Sequence, residues 1–163
     1  MATQKDQTTT DLIQKYSDII KELKERGVIR TKNVIGDLGE YLAINHYCNT
    51  AGLTKVQAAP VNTKNIDGNI INGDRYSIKS TSGKLTGVFT GLEPPNSSKI
   101  DKPKFEYVII VIFNNNYELE RILELDWNVF IKHKKWHNSF SAWNLSITKS
   151  LIEDSNIIYL KNE

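Results

Sequence analysis

No stretch constrains this chain more than Ile66-Asp67-Gly68-Asn69-Ile70-Ile71-Asn72-Gly73-Asp74-Arg75-Tyr76-Ser77-Ile78-Lys79. Asn72-Gly73 is a strong turn signal between two apolar-rich runs, which predicts a β-hairpin. Ile66, Ile70, Tyr76 and Ile78 all have even numbers. Alternate residues of a strand share a face, so these four reach one buried face only across a loop with an odd number of residues. A three-residue loop, Asn72-Gly73-Asp74 with Gly73 left-handed, meets that condition. It predicts Asp67 opposite Lys79, with Ser77 pointing the same way, on the face away from the core isoleucines. A two-residue turn would put Asp67 and Lys79 on opposite faces. Burial of the isoleucines therefore brings a carboxylate and an ammonium together.

The 163 residues suffice for one domain with a substantial core. The hydrophobic fraction of 39% and charged fraction of 25% are those of an ordinary globular protein. A net charge of +2 permits nucleic-acid binding but is far from a histone-like balance. One cysteine, Cys48, excludes an internal disulfide framework and suits a reducing compartment. The polar start of the chain has no signal-peptide core, and no apolar run is long enough to span a bilayer. The expectation is a cytoplasmic protein without a membrane partner.

Thr8, Thr9 and Thr10 offer N-caps for a helix reaching about Glu25 and ended by Gly27. Leu12, Ile13, Tyr16, Ile19, Ile20 and Leu23 recur along it at helical spacing. This predicts a helix packed on the domain, with a dimer contact as the alternative. Asn33 can cap a second helix through Tyr47 that is apolar nearly all round, and so is expected to be buried on more than one side. Glu40 falls on its Gly36, Ala43, Ile44 and Tyr47 side, where an unpartnered carboxylate would be costly. Gly36, one turn earlier, is expected to leave space beside it.

A short strand is expected near Val56 to Pro60. Residues 80–104 read as a long loop with a short strand at Gly87-Val88-Phe89. Tyr107 to Phe113 is a continuous apolar run, typical of a strand buried on both faces. Asn114-Asn115-Asn116 should turn the chain back into an outer strand through Leu125, and Asp126 can cap a short helix through about Lys134. Trp136 and Trp143 are expected in the core. A helix near Thr148 to Glu153 and a last strand, Ile157 to Leu160, complete the chain.

These pieces resemble the PD-(D/E)XK nuclease superfamily, in its restriction-endonuclease-like branch. The matching residues are Gly36-Asp37-Leu38-Gly39-Glu40-Tyr41-Leu42, Asn65-Ile66-Asp67-Gly68 and Tyr76-Ser77-Ile78-Lys79-Ser80, followed by the strand at Tyr107 to Phe113. The resemblance implies an α/β (mixed α+β) single domain over 1–163 with a central mixed sheet flanked by helices. Its parts would be an N-terminal helix at 8–27, a catalytic core at 33–113 and a strand and helix extension at 114–163. It also implies a metal-dependent endonuclease that hydrolyses phosphodiester bonds of duplex DNA. Mg²⁺, with Mn²⁺ able to substitute, would be held by Asp67, Glu40 and the backbone carbonyl of Ile78. Glu40, Asp67, Ser77 and Lys79 would form the catalytic set, Lys79 orienting water and stabilising developing charge. Ser77 departs from the family, which usually places Asp or Glu two residues before the lysine. Asp67 and Glu40 are then the only anionic ligands.

DNA contacts are expected from Arg75, from Lys84, Lys99, Lys102 and Lys104 in the long loop, and from Lys132, Lys134 and Lys135 after the short helix. The alternative for these lysines is a solvated surface. Two copies of one active site would cut both strands of a symmetric site, so a homodimer is expected. Other readings are a structure-selective nuclease of the junction-resolvase kind and a nuclease-like DNA-binding module without chemistry. Asp67–Lys79 could also be a plain cross-strand ion pair. A phosphate-binding loop at 73–80 is excluded because Ile78 stands where glycine is required. His133 and His137 have a zinc-pair spacing but no third ligand nearby, which fits a basic helix end better.

Overall fold

A computed structural model describes residues 6–60, 63, 66–69 and 73–162. Asn65, Ile70, Ile71 and Asn72, which entered the hairpin and motif expectations, lie outside them. Four α-helices flank a mixed sheet: α1 (Thr9–Glu25), α2 (Val34–Asn49), α3 (Trp127–His133) and α4 (Lys149–Asp154). The strands are β1 (Gln57–Ala58), β2 (Gly68–Asn69), β3 (Arg75–Thr81), β4 (Tyr107–Phe113), β5 (Leu119–Asp126), β6 (Lys135–His137), β7 (Ala142–Asn144) and β8 (Asn156–Leu160). Six form one sheet in the order β1-β2-β3-β4-β5-β8, and β6 pairs with β7 separately. Only β3 and β4 run parallel within the large sheet.

β4 organises the core. Val108, Ile110 and Ile112 pack on one face with Phe89, Phe105, Phe130, Leu145 and Leu151. Ile109, Val111 and Phe113 pack on the other with Ala43, Tyr47, Tyr76 and Ile78. The apolar run is thus buried on both faces, as its composition predicts. Side-chain caps start the helices where expected: Thr8 with Asp11 as a capping box, Asn33, Asp126 and Thr148.

Several expectations change. α1 has no fully buried residue, and only Ile20 and Leu23 are half-buried, so its packing on the domain is limited to its C-terminal turns. On α2 the face carrying Gly39, Ala43 and Tyr47 is buried, whereas Tyr41 is exposed. β5 is not an outer strand, because β8 pairs along its far side. Gly87-Val88-Phe89 makes an isolated bridge to Trp143 instead of a strand. That bridge, with Thr86 N–H donating to Leu145 O and Trp143 Nε1 to Glu93 O, ties the long loop to β7. Trp136 and Trp143 are half-buried and stack edge to face across the β6–β7 pair, and Trp143 also packs against the core cluster of Phe89, Phe105 and Phe130.

The hairpin register also differs. Gly68 pairs with Tyr76 and Asn69 with Arg75, two residues out from a register in which Asp67 faces Lys79. Asp67 is therefore level with Ser77. An even shift preserves parity, so Asp67, Ser77 and Lys79 still share a face. Gly73 has φ +119°, the positive value its turn position calls for. The shared face is not a solvent face either: Ser77 is buried, and Lys79 Nζ lies 5.3 Å from the centroid of the Phe89 ring.

Candidate active site

The site forms where the sheet loses a strand. β2 stops at Gly68, opposite Tyr76, and leaves the edge of β3 open beyond that point. Asp67 closes the ladder: its N–H donates to Tyr76 O at 2.9 Å, and its Oδ2 accepts Ile78 N–H at 2.8 Å. A strand residue's N–H and C=O point to the same edge, so the Ile78 carbonyl also faces Asp67. Ser77 Oγ lies 3.4 Å and Lys79 Nζ 3.8 Å from the same carboxylate oxygen. A cavity of about 370 Å³ opens there, with Glu40, Asp67, Ile78, Lys79 and Ser80 in its wall.

α2 brings Glu40 to this edge because Gly39 lets the helix approach. A Cβ at Gly39 would lie 1.8 Å from Ser80 Oγ and 2.8 Å from Ser80 Cβ. Gly36 plays a different part from the one expected. The space beside it is filled by the side chain of Asn33, whose Oδ1 accepts Gly36 N–H at 3.1 Å. Ser80 Oγ is buried against Gly39 with no hydrogen-bond partner.

Two residues that sequence reasoning missed complete the wall. Arg30 donates to Glu40 Oε1 from the loop before α2. The buried Asp37 carboxylate holds that loop, accepting the N–H groups of Arg30 at 2.8 Å and Thr31 at 2.6 Å and the Thr31 hydroxyl at 3.0 Å. Asp37 lies within the motif-bearing helix, and an acid three residues before an inward Glu40 was the available signal. Burial raises the pKa of Glu40, reinforced by the negative charges of Asp67 and Asp37, and outweighs the attraction of Arg30.

Asp67, Glu40 and the Ile78 carbonyl are all oxygen donors, the kind Mg²⁺ and Mn²⁺ accept, and two carboxylates match one divalent charge. Among the described residues no cluster of three His, Cys, Asp or Glu gathers that could hold a metal ion. A divalent cation held there would have to keep much of its water and take its third protein donor from the backbone. Ser77 adds no charge.

The expected DNA contacts divide into two groups. Lys84, Lys99, Lys102, Lys104 and Lys135 are exposed, and Lys84 sits on the loop whose Gly87 and Val88 line the cavity. The other three cations are engaged within the fold. Arg75 pairs with Glu106 at 2.6 Å, holding that carboxyl below the usual range. Lys132 pairs with Asp154 at 2.7 Å. Lys134 is not part of an open basic cluster: its side chain is 13% exposed, bonds Asp101 at 3.2 Å and lies 4.0 Å from the centroid of the Trp143 ring. His133 Nε2 lies 2.6 Å from Asp154 Oδ2, beside Lys132 on the same carboxylate.

No helix among the described residues is long and apolar enough to cross a membrane. The chain matches no protein-family model and no curated protein.

Proposed function

We propose that this protein is a divalent-cation-dependent endodeoxyribonuclease of the PD-(D/E)XK kind, hydrolysing phosphodiester bonds of duplex DNA. The observation that carries this reading is the convergence of Glu40, Asp67, the Ile78 edge and Lys79 on one cavity at an open sheet edge. These residues come from a helix, from β3 and from the residue that precedes β2, and the side chains of Ile78 and Lys79 point to opposite faces of the sheet. A plain cross-strand ion pair accounts for Asp67 and Lys79 but not for Glu40 beside them.

Hydrolysis joins a water oxygen to phosphorus, breaks one P–O ester bond and gives the departing alcohol a proton. Mg²⁺ held by Asp67, Glu40 and the Ile78 carbonyl would polarise the phosphoryl oxygen and acidify water. Lys79 stands against Asp67, half-sheltered by Phe89, where its ammonium can orient the attacking water and stabilise charge on the phosphoryl group. Asp67 keeps its carboxylate fixed through Ile78 N–H, so the site is organised before DNA arrives. Lys84, on the loop at the cavity, would hold backbone phosphate and set position rather than sequence.

One observation favours a second reading, a nuclease-like DNA-binding module without chemistry. Arg30 already neutralises Glu40, and Ser77 supplies no charge to replace it. The experiment is plasmid cleavage in Mg²⁺ or Mn²⁺ with wild type, Asp67→Asn and Lys79→Ala, run beside Mn²⁺ binding and DNA binding. Cleavage by wild type, lost roughly a hundredfold or more in Lys79→Ala with DNA affinity retained, supports the nuclease. DNA binding without Mn²⁺ binding or cleavage supports the inactive module. Cleavage unaffected by either substitution refutes the site.

A further inference from the structure

We propose that α1 is a self-association helix, through which two copies of this chain pair antiparallel. The helix is well formed: Thr8 and Asp11 close a capping box, and Gly27 with φ +72° ends it. Yet it covers little: only Ile20 and Leu23, toward its end, are half-buried. Leu12 is 43% exposed, Ile13 62%, Tyr16 62% and Ile19 57%. Helices of this length are marginal in water unless an apolar face is covered.

The sequence of the exposed face says what covers it. Leu12, Tyr16, Ile19 and Leu23 follow one another at spacings of four, three and four, the seam of a two-helix coiled coil. Laid antiparallel on a second copy, Leu12 of one helix meets Leu23 of the other, and Tyr16 meets Ile19. On one flank Ile13 meets Ile20. On the opposite flank Lys15 meets Glu22, whose carboxylate also accepts from Arg26 at 2.7 Å. Every flanking position thus finds a matching residue, apolar with apolar and cation with anion. A parallel pairing instead sets Lys15 against Ile20. The four exposed apolar side chains of each copy, at on the order of 100 Å² each, supply roughly 800 Å² of apolar area, and the stems of Lys15 and Glu22 add to it, toward the ~1,200 Å² of a specific interface. The pairing is isologous and closes as a symmetric dimer. It rests on α1 alone and is independent of the nuclease reading.

The experiment is sedimentation velocity on the full chain over a wide concentration range, with Ile19→Glu, Lys15→Glu, Glu22→Lys and the Lys15→Glu/Glu22→Lys double variant. All three positions are outside the core, and thermal unfolding checks that the domain remains folded. The expected result is a wild-type dimer and a monomeric Ile19→Glu. Each single charge reversal should weaken the dimer at least about twofold, and the double reversal should restore it. A wild-type monomer at every concentration overturns the proposal. So does a dimer indifferent to Ile19→Glu, which would place the contact elsewhere. Charge reversals without mutual rescue overturn the antiparallel pairing and assign the face to a different protein partner.

Discussion

Gly39→Ala tests how the site is assembled. An added methyl would stand 1.8 Å from Ser80 Oγ, 2.8 Å from Ser80 Cβ and 3.4 Å from Val111 Cβ. Rotating the hydroxyl relieves the first clash only. The second involves a carbon fixed to β3, so α2 or the strand must move. Overpacking of this kind costs about 1–3 kcal/mol. Alanine returns roughly 1 kcal/mol of helix propensity over glycine. The net expectation runs from no change to a loss of about 2 kcal/mol, against a gain of about 1 kcal/mol if α2 were free of β3. Urea denaturation of wild type, Gly39→Ala, Ser80→Gly and the double variant measures it. The double variant removes both clashing atoms and should recover most of the loss, giving a coupling energy of at least about 1 kcal/mol. Glu40 follows directly on the substituted residue, so cleavage should fall more than stability does, since a displacement of about 1 Å can cost a hundredfold in rate. A Gly39→Ala protein more stable than wild type by the full propensity gain of about 1 kcal/mol, or a double variant whose effects simply add, would refute the close approach.

Burial holds the Glu40 pKa above its ordinary value, which fixes the sign of its pH dependence. The folded state binds this proton more readily than the unfolded chain, so Glu40 favours folding at low pH and that contribution is lost as pH rises through the raised pKa. Unfolding free energies of wild type and Glu40→Gln should therefore shift in favour of the variant as pH rises from the ordinary glutamate range toward neutrality. Mn²⁺ binding should weaken as pH falls through the same raised midpoint, a step absent in Glu40→Gln; a parallel response in both proteins would contradict the burial of a titrating Glu40. Lys134→Ala should lower stability by about 2 kcal/mol, because it removes both the Asp101 pair and the contact with Trp143. Its salt dependence of DNA binding should match wild type, whereas Lys84→Ala should reduce the salt slope by about 1. A stability-neutral Lys134→Ala with weakened DNA binding would return Lys134 to the phosphate-contacting set.

The sequence by itself determined whatever depends on neighbours along the chain. Thr8, Asn33, Asp126 and Thr148 cap the next turn of their own backbone, so the helix starts were readable. The apolar run of β4 predicted burial on both faces because strand side chains alternate. Parity did the same for Asp67, Ser77 and Lys79: any even register keeps them on one face. Tertiary structure decided the rest. The register slid by two residues because parity fixes faces and not partners, and the ladder ends where Asp67 substitutes its carboxylate for the next strand residue. Arg30 reached Glu40 because Asp37 folds the preceding loop, a contact that no periodicity encodes. Gly39, rather than Gly36, became the glycine of close approach because β3 passes beneath it. Lys134 left the surface for Asp101 and Trp143, residues brought to it by the long loop and β7. α1 shows the converse: its amphipathic pattern was legible from the start, but a pattern names only the face to be covered. Which residues cover it is a tertiary matter, and Leu12, Tyr16 and Ile19 stay exposed while the core forms around β4.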